Sequence, residues 1–231
     1  MDYDKIAGKY HFYGEHAITD WVLGYNKVTT FLMPLKGKRI LDFGCGTGKF
    51  SRFLRDHGAK VVGVDLSKKM IEEAIKQDSR GIEYHKINSA GKMSFSQESF
   101  DAAVVNFVFC TYSSKAKIVR ALKEIRKLLK KDGLVVLLNP NGDKSNGREF
   151  ISFKFNLTKN LKSGKKVNII LKSEKPIEIE DYYWSKEEYL SMLEQAHFRI
   201  VAIQEPTAND SKYKWIDEKN YPPFLIIVGK N

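Results

Sequence analysis

The sequence of 231 residues is poor in cysteine, and it lacks the patterns typical of metal-binding, disulfide-bonded, membrane-spanning and secreted proteins. Its two cysteines, Cys45 and Cys110, have no metal-ligand spacing, so we predict neither a metal site nor a disulfide and interpret both as small apolar residues. No uninterrupted apolar stretch reaches membrane-spanning length, and the N-terminus lacks the basic start and apolar middle of a signal peptide. We expect a soluble cytoplasmic protein without a membrane partner.

The glycine-rich segment at residues 40–48 reads I-L-D-F-G-C-G-T-G and has three alternating glycines, but it lacks the third glycine of a dinucleotide-binding fingerprint. A dinucleotide-binding fingerprint needs glycine at the sixth position counted from Gly44, where this chain has Lys49. Asp42 beside the loop disfavours an anionic pyrophosphate, but it favours a cofactor that carries an ammonium and a sulfonium. Asp65 ends the next apolar run and offers two acceptor oxygens to a ribose diol. This pattern predicts S-adenosylmethionine.

The string D-F-G-C-G-T-G, followed by V-G-V-D-L-S, closely resembles the first two cofactor motifs of the class I S-adenosylmethionine-dependent methyltransferases, in particular those of the small-molecule type. The resemblance covers about residues 36–140 well and the remainder in outline. It implies methyl transfer to an O or N atom of a small-molecule acceptor. It also implies an α/β fold with a Rossmann-like sheet of seven mostly parallel strands, helices on both faces and an antiparallel last strand.

The pattern of residues agrees with a parallel sheet, because short β-branched runs alternate with amphipathic stretches between residues 38 and 139. The clearest helix is predicted over 114–131, with Gly133 as its stop. Strands are predicted at 39–43, 60–65, 82–86, 102–107, 134–138, 198–203 and 224–228.

We expect one methyltransferase domain over residues 1–231, with cover helices in 1–35 and the cofactor-binding core in 36–140. Residues 141–184 are predicted to form an inserted β-hairpin or lid after strand five, with strands at 150–157 and 167–171. Residues 185–231 would supply a C-terminal helix and the last two strands.

The family resemblance assigns cofactor contacts to the loops after the first four strands. The methionine part would lie against the glycine loop, with its ammonium on the backbone after strand four, and the ribose on the acid after strand two. The adenine would lie between two apolar side chains and meet the segment after strand three, while an N-terminal tyrosine reaches the methionine carboxylate. The residues at the glycine loop are Asp42, Gly44, Cys45 and Gly46, and those after strand four are Asn106 and Phe107. The acid that holds the ribose is Asp65, and the apolar side chains on either side of the adenine are Leu66 and Met70. The segment after strand three is Asn88, Ser89 and Ala90, and the N-terminal tyrosine is Tyr10.

Two of these residues have a structural alternative: core packing for Met70 and anchoring of the leading helix for Tyr10. The acceptor is expected to be flat or apolar, because aromatic residues are frequent in the cover elements, although many of them could instead pack the hairpin onto the sheet. They are Trp21, Phe109, Tyr112, Tyr182, Tyr183 and Trp184. We considered His11, His16 and His85 as general bases and assign no catalytic residue.

The formal net charge of +11 leaves a second class of acceptor open. An RNA methyltransferase would bind phosphates through the lysines of the hairpin, namely Lys154, Lys159, Lys162, Lys165, Lys166 and Lys172. Methylation of DNA amines is disfavoured, because residues 106–109 read N-F-V-F rather than N-P-P-Y. A protein that binds S-adenosylmethionine without turnover is the third alternative. The oligomeric state is left open.

Overall fold

The computed structural model describes residues 12–14, 16–88 and 93–231. Seven of the strands in these residues form one sheet, in the order β3-β2-β1-β4-β5-β10-β9. Strands β1 to β5 are mutually parallel, whereas β10 is antiparallel to both β5 and β9. This topology confirms the predicted Rossmann-like fold with an antiparallel last strand. The seven strands are β1 Arg39–Phe43, β2 Lys60–Asp65, β3 Ile82–Lys86, β4 Phe100–Asn106, β5 Leu129–Pro140, β9 Arg199–Gln204 and β10 Phe224–Lys230.

The helices pack on both faces of this sheet. A π-helical segment, Asp20–Tyr25, leads into α1, and a 3₁₀ turn, Phe109–Thr111, follows β4. The helices are α1 Asn26–Leu32, α2 Lys49–Asp56, α3 Lys68–Asp78, α4 Lys115–Leu128, α5 Gly142–Ser145 and α6 Lys186–Gln195. Side-chain caps define two of their starts, since Ser67 Oγ accepts from the N–H of Met70 at 3.1 Å and Ser185 Oγ from that of Glu188 at 3.3 Å. None of the helices in the described ranges is long and apolar enough to cross a membrane.

Helix α4 buries the predicted apolar face, but it is shorter than the 114–131 predicted from the sequence. It ends at Leu128, because Leu129 adopts an extended backbone (φ −75°, ψ 136°) and begins β5. Gly133 lies inside that strand and is not the helix stop. Asp132, just before this glycine, has the positive φ, at 64°.

The insertion after β5 is a three-stranded antiparallel sheet rather than the two-stranded hairpin predicted from the sequence. Its strands are β6 Phe153–Phe155, β7 Lys166–Leu171 and β8 Ile177–Tyr182, in the order β6-β7-β8. The prediction was wrong at β8, where I-E-I-E-D-Y alternates apolar and acidic residues over its first four positions. Burial alternates over five, so the acidic Asp181 takes a buried site. It also made the first strand, 150–157, too long.

The small sheet covers one face of the main sheet. Phe153 and Ile169 of the insertion belong to the same buried cluster as Ile40 of β1 and Val136 of β5. The two sheets therefore bury apolar surface against each other, and the insertion is part of the main core.

A buried carboxylate, Glu218, joins the insertion to the N-terminal cover. It is 0% exposed, and its Oε1 accepts hydrogen bonds from Thr19 Oγ1 at 2.8 Å and from the N–H of Ile151 at 2.6 Å. The N–H of Thr19 in turn donates to Ser152 Oγ at 2.8 Å. These bonds fix the start of the leading helix against the small sheet.

Candidate cofactor and acceptor site

The loop between β1 and α2 has the left-handed backbone that favours glycine, with φ of +77° at Gly44 and +53° at Gly46. A Cβ at Gly44 would lie 2.2 Å from Cγ2 of Val108, so this glycine allows the loop after β4 to pack on the loop after β1. A Cβ at Gly46 would have no atom within 4 Å. The loop therefore presents bare backbone to open space at Gly46, which suits close approach of a ligand.

Asp65, at the end of β2, is bonded to both neighbouring loops. Its Oδ2 accepts from the N–H of Gly46 at 2.9 Å and its Oδ1 from the N–H of Ser67 at 2.8 Å. A carboxylate oxygen has further lone pairs, so these bonds orient the group and leave acceptor capacity for a diol. Asp65 thus adjoins the glycine loop, and its contact with the ribose stays a prediction.

Asp42 lies beneath the loop and is only 2% exposed. Its Oδ2 accepts from Ser51 Oγ of α2 at 2.5 Å. Burial, the hydrogen bond from Ser51 and the nearby Asp65 charge together bring the pKa of Asp42 to about 7; burial raises it most, the Ser51 bond lowers it and the Asp65 charge raises it. The carboxylate is therefore costly to ionise in the absence of a nearby cation, and a cationic ligand above it would favour ionisation.

The end of β4 contains an unsatisfied amide. Both side-chain atoms of Asn106, Oδ1 and Nδ2, are buried and have no hydrogen-bond partner among the described residues. Phe107 follows with a φ of +57°, and its N–H donates to the carbonyl of Leu138 at 2.7 Å. Buried polar groups normally have partners, so the Asn106 amide fits a site that a polar ligand completes.

The remaining predicted contacts differ in exposure. Leu66 is 42% exposed, whereas Met70 in the first turn of α3 is 2% exposed and Cys45 is 8% exposed. Asn88 is exposed after β3. Tyr10, Ser89 and Ala90 lie outside the described residues, as does His11.

Comparison with known proteins agrees with this geometry. A family model described as a methyltransferase domain matches residues 41–137. The chain is 25% identical over 194 residues to N-demethylindolmycin N-methyltransferase of Streptomyces griseus, covering 82% of this chain and 79% of that protein. It is 30% identical over 155 residues to demethylmenaquinone methyltransferase of Thermotoga maritima, covering 63% and 64% of the two chains, so this match spans slightly under two thirds of that relative.

The crystal structure of an S-adenosylmethionine-dependent methyltransferase from Mesorhizobium loti has the same fold, with a TM-score of 0.69 and 21% identity over 92% of this chain and 99% of that one. Residues 41–137 thus match a methyltransferase domain, and the chain has the fold of an S-adenosylmethionine-dependent methyltransferase. Both findings imply S-adenosylmethionine as the cofactor.

The methyltransferase contains a cavity between the small sheet and the carboxyl ends of β4 and β5. Its volume is about 410 Å³ including the open mouth. Most of its lining is apolar, and two carboxyl groups interrupt that lining. The lining residues are Tyr13, Asp20, Phe107, Pro140, Phe153, Ile169, Leu171, Ile179, Asp181 and Phe224.

The predicted aromatic residues contribute little to this cavity. Phe109 is fully buried in the core on the other face of the sheet, and Trp21 packs on Phe53 with ring centroids 5.4 Å apart. Trp184 donates from Nε1 to the carbonyl of Tyr112 at 3.1 Å, and Tyr183 donates its hydroxyl to Asp143. Tyr182, Tyr183 and Trp184 instead line a second cavity of about 230 Å³ that shares Asp181 with the first.

Two buried aspartates that line the cavity, Asp20 and Asp181, were not predicted from the sequence. Asp181 could have been found from the alternation in β8, which places it on the same buried face as Ile177 and Ile179. Asp20 begins the π-helical segment and has no comparable sequence signal. By contrast, His16 and His85 are exposed and line neither of the two cavities described here.

Proposed function

We propose that this methyltransferase transfers the methyl group of S-adenosylmethionine to an O or N atom of a small molecule. The observation that carries the proposal is the position of Phe107. Phe107 directly follows β4, in the segment assigned to the cofactor. It also lines the apolar cavity beneath the small sheet. An acceptor in that cavity would therefore adjoin the cofactor site.

The lining of the cavity supports a small acceptor. It is mostly apolar and carries a few polar groups, as sites for small organic molecules do. The names of two relatives, N-demethylindolmycin N-methyltransferase and demethylmenaquinone methyltransferase, also specify small acceptors. These names describe those proteins and support the acceptor class alone.

Bound S-adenosylmethionine supplies a methyl carbon made electrophilic by its sulfonium. We propose that the protein acts mainly by positioning, with Asp65 holding the ribose and the loop at Gly44 and Gly46 holding the methionine part. The proposed contacts also include the backbone at Asn106 and Phe107, the side chains of Leu66 and Met70 against the adenine, and Asn88 at its edge. In-line displacement needs the reacting atoms about 3 to 3.5 Å apart, and a rigid cavity next to Phe107 would provide this alignment.

The alternative, an RNA methyltransferase that binds phosphates through the lysines of the insertion, has less support, because several of these lysines already have partners. Lys166 forms an ion pair with Glu180 at 2.6 Å, and Lys172 forms one with Glu149 at 2.6 Å. Lys165 donates to the carbonyl of Lys159 at 2.8 Å. The exposed positions of β8 also carry Glu178 and Glu180, so acidic groups lie among the lysines. Mixed charge of this kind is a poor surface for phosphates.

Calorimetry with S-adenosylmethionine, S-adenosylhomocysteine and NAD tests the cofactor, and release of S-adenosylhomocysteine with panels of small acceptors and of transfer RNA tests the acceptor class. We expect binding of the first two ligands and turnover with small molecules only. Turnover with RNA alone would overturn the proposed acceptor class. Cofactor binding without turnover on either panel would support the silent binding protein instead.

A further inference from the structure

The cavity contains two carboxyl groups that the methyl-transfer proposal does not use. Asp20 is 7% exposed and Asp181 is 3% exposed, and both line the cavity. Oδ1 of each carboxyl group is buried and has no hydrogen-bond partner among the described residues. An unsatisfied buried acceptor costs about 1 to 3 kcal/mol, so a ligand that supplies donors here gains that energy.

The two carboxyl groups are not equally compensated. Asp20 Oδ2 accepts from the hydroxyl of Tyr13 at 2.9 Å, and the charge of Lys49 lowers its pKa, although burial dominates and raises that pKa to about 7. Burial also raises the pKa of Asp181, to about 6, and among the described side chains only the thiol of Cys110 hydrogen-bonds to it. With the lower of the two raised pKa values, Asp181 is the carboxyl group that is more fully ionised near neutral pH.

The surroundings of Asp181 indicate what would bind it. It lies in the wall common to both cavities, together with Pro140 and Ile169. The larger cavity places Phe153, Leu171 and Phe224 around the same space, so a ligand there has an apolar body. A carboxylate or phosphate ligand would be repelled by the two aspartates, whereas an ammonium presents donors only.

We propose that the acceptor is a small amine with an apolar body, that Asp181 binds its ammonium, and that the ammonium gives one N–H proton to the Asp181 carboxylate before methyl transfer. The freed nitrogen lone pair then forms the bond to the methyl carbon as the carbon–sulfur bond breaks and S-adenosylhomocysteine leaves. This inference rests on the proposed function and narrows its acceptor class. Asp181 acts here as a specificity-determining residue, because a charge-assisted hydrogen bond to it favours the amine over an alcohol or acid of the same shape.

The test uses the full chain saturated with S-adenosylhomocysteine and three matched series of ligands: phenylalkyl amines of graded chain length, the corresponding alcohols and the corresponding carboxylates. Calorimetry on the wild type should show amines binding at least about tenfold more tightly than the matched alcohols, with no carboxylate binding. Asp181→Asn should reduce this preference by about tenfold or more, while affinity for S-adenosylhomocysteine stays within about twofold.

Glu178→Gln is the matched control, since Glu178 lies on the same strand with its side chain exposed on the opposite face. It should leave the amine preference unchanged. No amine binding better than its alcohol, or a preference that survives Asp181→Asn, would overturn the inference. A wild-type protein that does not bind S-adenosylhomocysteine would instead count against the cofactor site and the proposed function. Failure of the amine inference and failure of the proposed function are therefore distinguishable.

Discussion

The N–H of Gly46 donates a hydrogen bond of 2.9 Å to Oδ2 of Asp65, which links the loop after β1 to the end of β2. Gly46 adopts a φ of +53°, so a backbone conformation that favours glycine aims the donor at the acid. Asp65 thereby holds the loop in place as well as offering oxygens to a ligand. The loss of either residue should affect one and the same binding site.

Asp65→Ala should weaken binding of S-adenosylmethionine by roughly ten- to a hundredfold, or about 1.5 to 3 kcal/mol, because it removes the ribose acceptors and frees the N–H groups of Gly46 and Ser67. Calorimetry at constant pH measures this effect. Glu72→Ala, which removes an exposed carboxylate in α3, is the control and should bind as the wild type does. An unchanged dissociation constant for Asp65→Ala would contradict the proposal that Asp65 binds the ribose.

Gly46→Ala has a matched control in Gly37→Ala. Both glycines have positive φ, +53° and +80°, and a Cβ at either would have no protein atom within 4 Å. Each substitution should therefore cost about 1 kcal/mol of stability through backbone strain. Only Gly46→Ala should also lose cofactor affinity, by about tenfold or more, since its methyl group would occupy the ligand's space. Equal affinities in the two variants would show that the loop at Gly46 is not the cofactor cradle.

The sequence predicted the sheet well because its strands carry strong local signals. The strands at 39–43, 60–65 and 82–86 match the structure residue for residue, since β-branched runs end there at glycine or polar residues. The cofactor loop was equally accessible, because Gly44, Gly46 and Asp65 act through spacing along the chain. The caps at Ser67 and Ser185 also depend on residues close together in the chain, since each serine accepts from the N–H three positions later.

The acceptor side could not be predicted, because contacts distant in sequence build it. Asp20 and Asp181 line one cavity although 161 positions separate them, and neither has a local motif. The insertion depends on distant contacts as well, because Phe153 and Ile169 lie in the main buried cluster. Deletion of residues 150–171 should therefore destabilise the whole fold.

Stability should depend on pH through the buried aspartates. Burial raises the pKa of Asp20 and Asp42 to about 7 and that of Asp181 to about 6, from an ordinary value of 3.8. The folded state therefore binds more protons than the unfolded state between about pH 4 and pH 7, and the free energy of unfolding should fall as pH rises through this window.

Asp181→Asn isolates one of these groups. Its free energy of unfolding minus that of the wild type should increase by about 1 kcal/mol between about pH 5 and pH 8, whatever constant offset the amide introduces. Urea unfolding at both pH values measures the change. Glu178→Gln, on the exposed face of the same strand, should show no such change. A difference that is flat with pH would mean that Asp181 is not a buried acid with a raised pKa.

The last prediction concerns the lysines of the insertion. Lys162→Gln, Lys165→Gln and Lys166→Gln combined should leave kcat/KM for a small-molecule acceptor within about twofold, because none of these residues lines the acceptor cavity described here. The matched control combines Lys117→Gln, Lys123→Gln and Lys131→Gln, which remove the same charge from exposed positions in and just after α4. Transfer RNA should bind both variants weakly and equally, because only net charge has changed. An RNA methyltransferase would respond differently: the insertion variant alone would lose RNA affinity, and its slope of log K against log salt would fall by up to about 3.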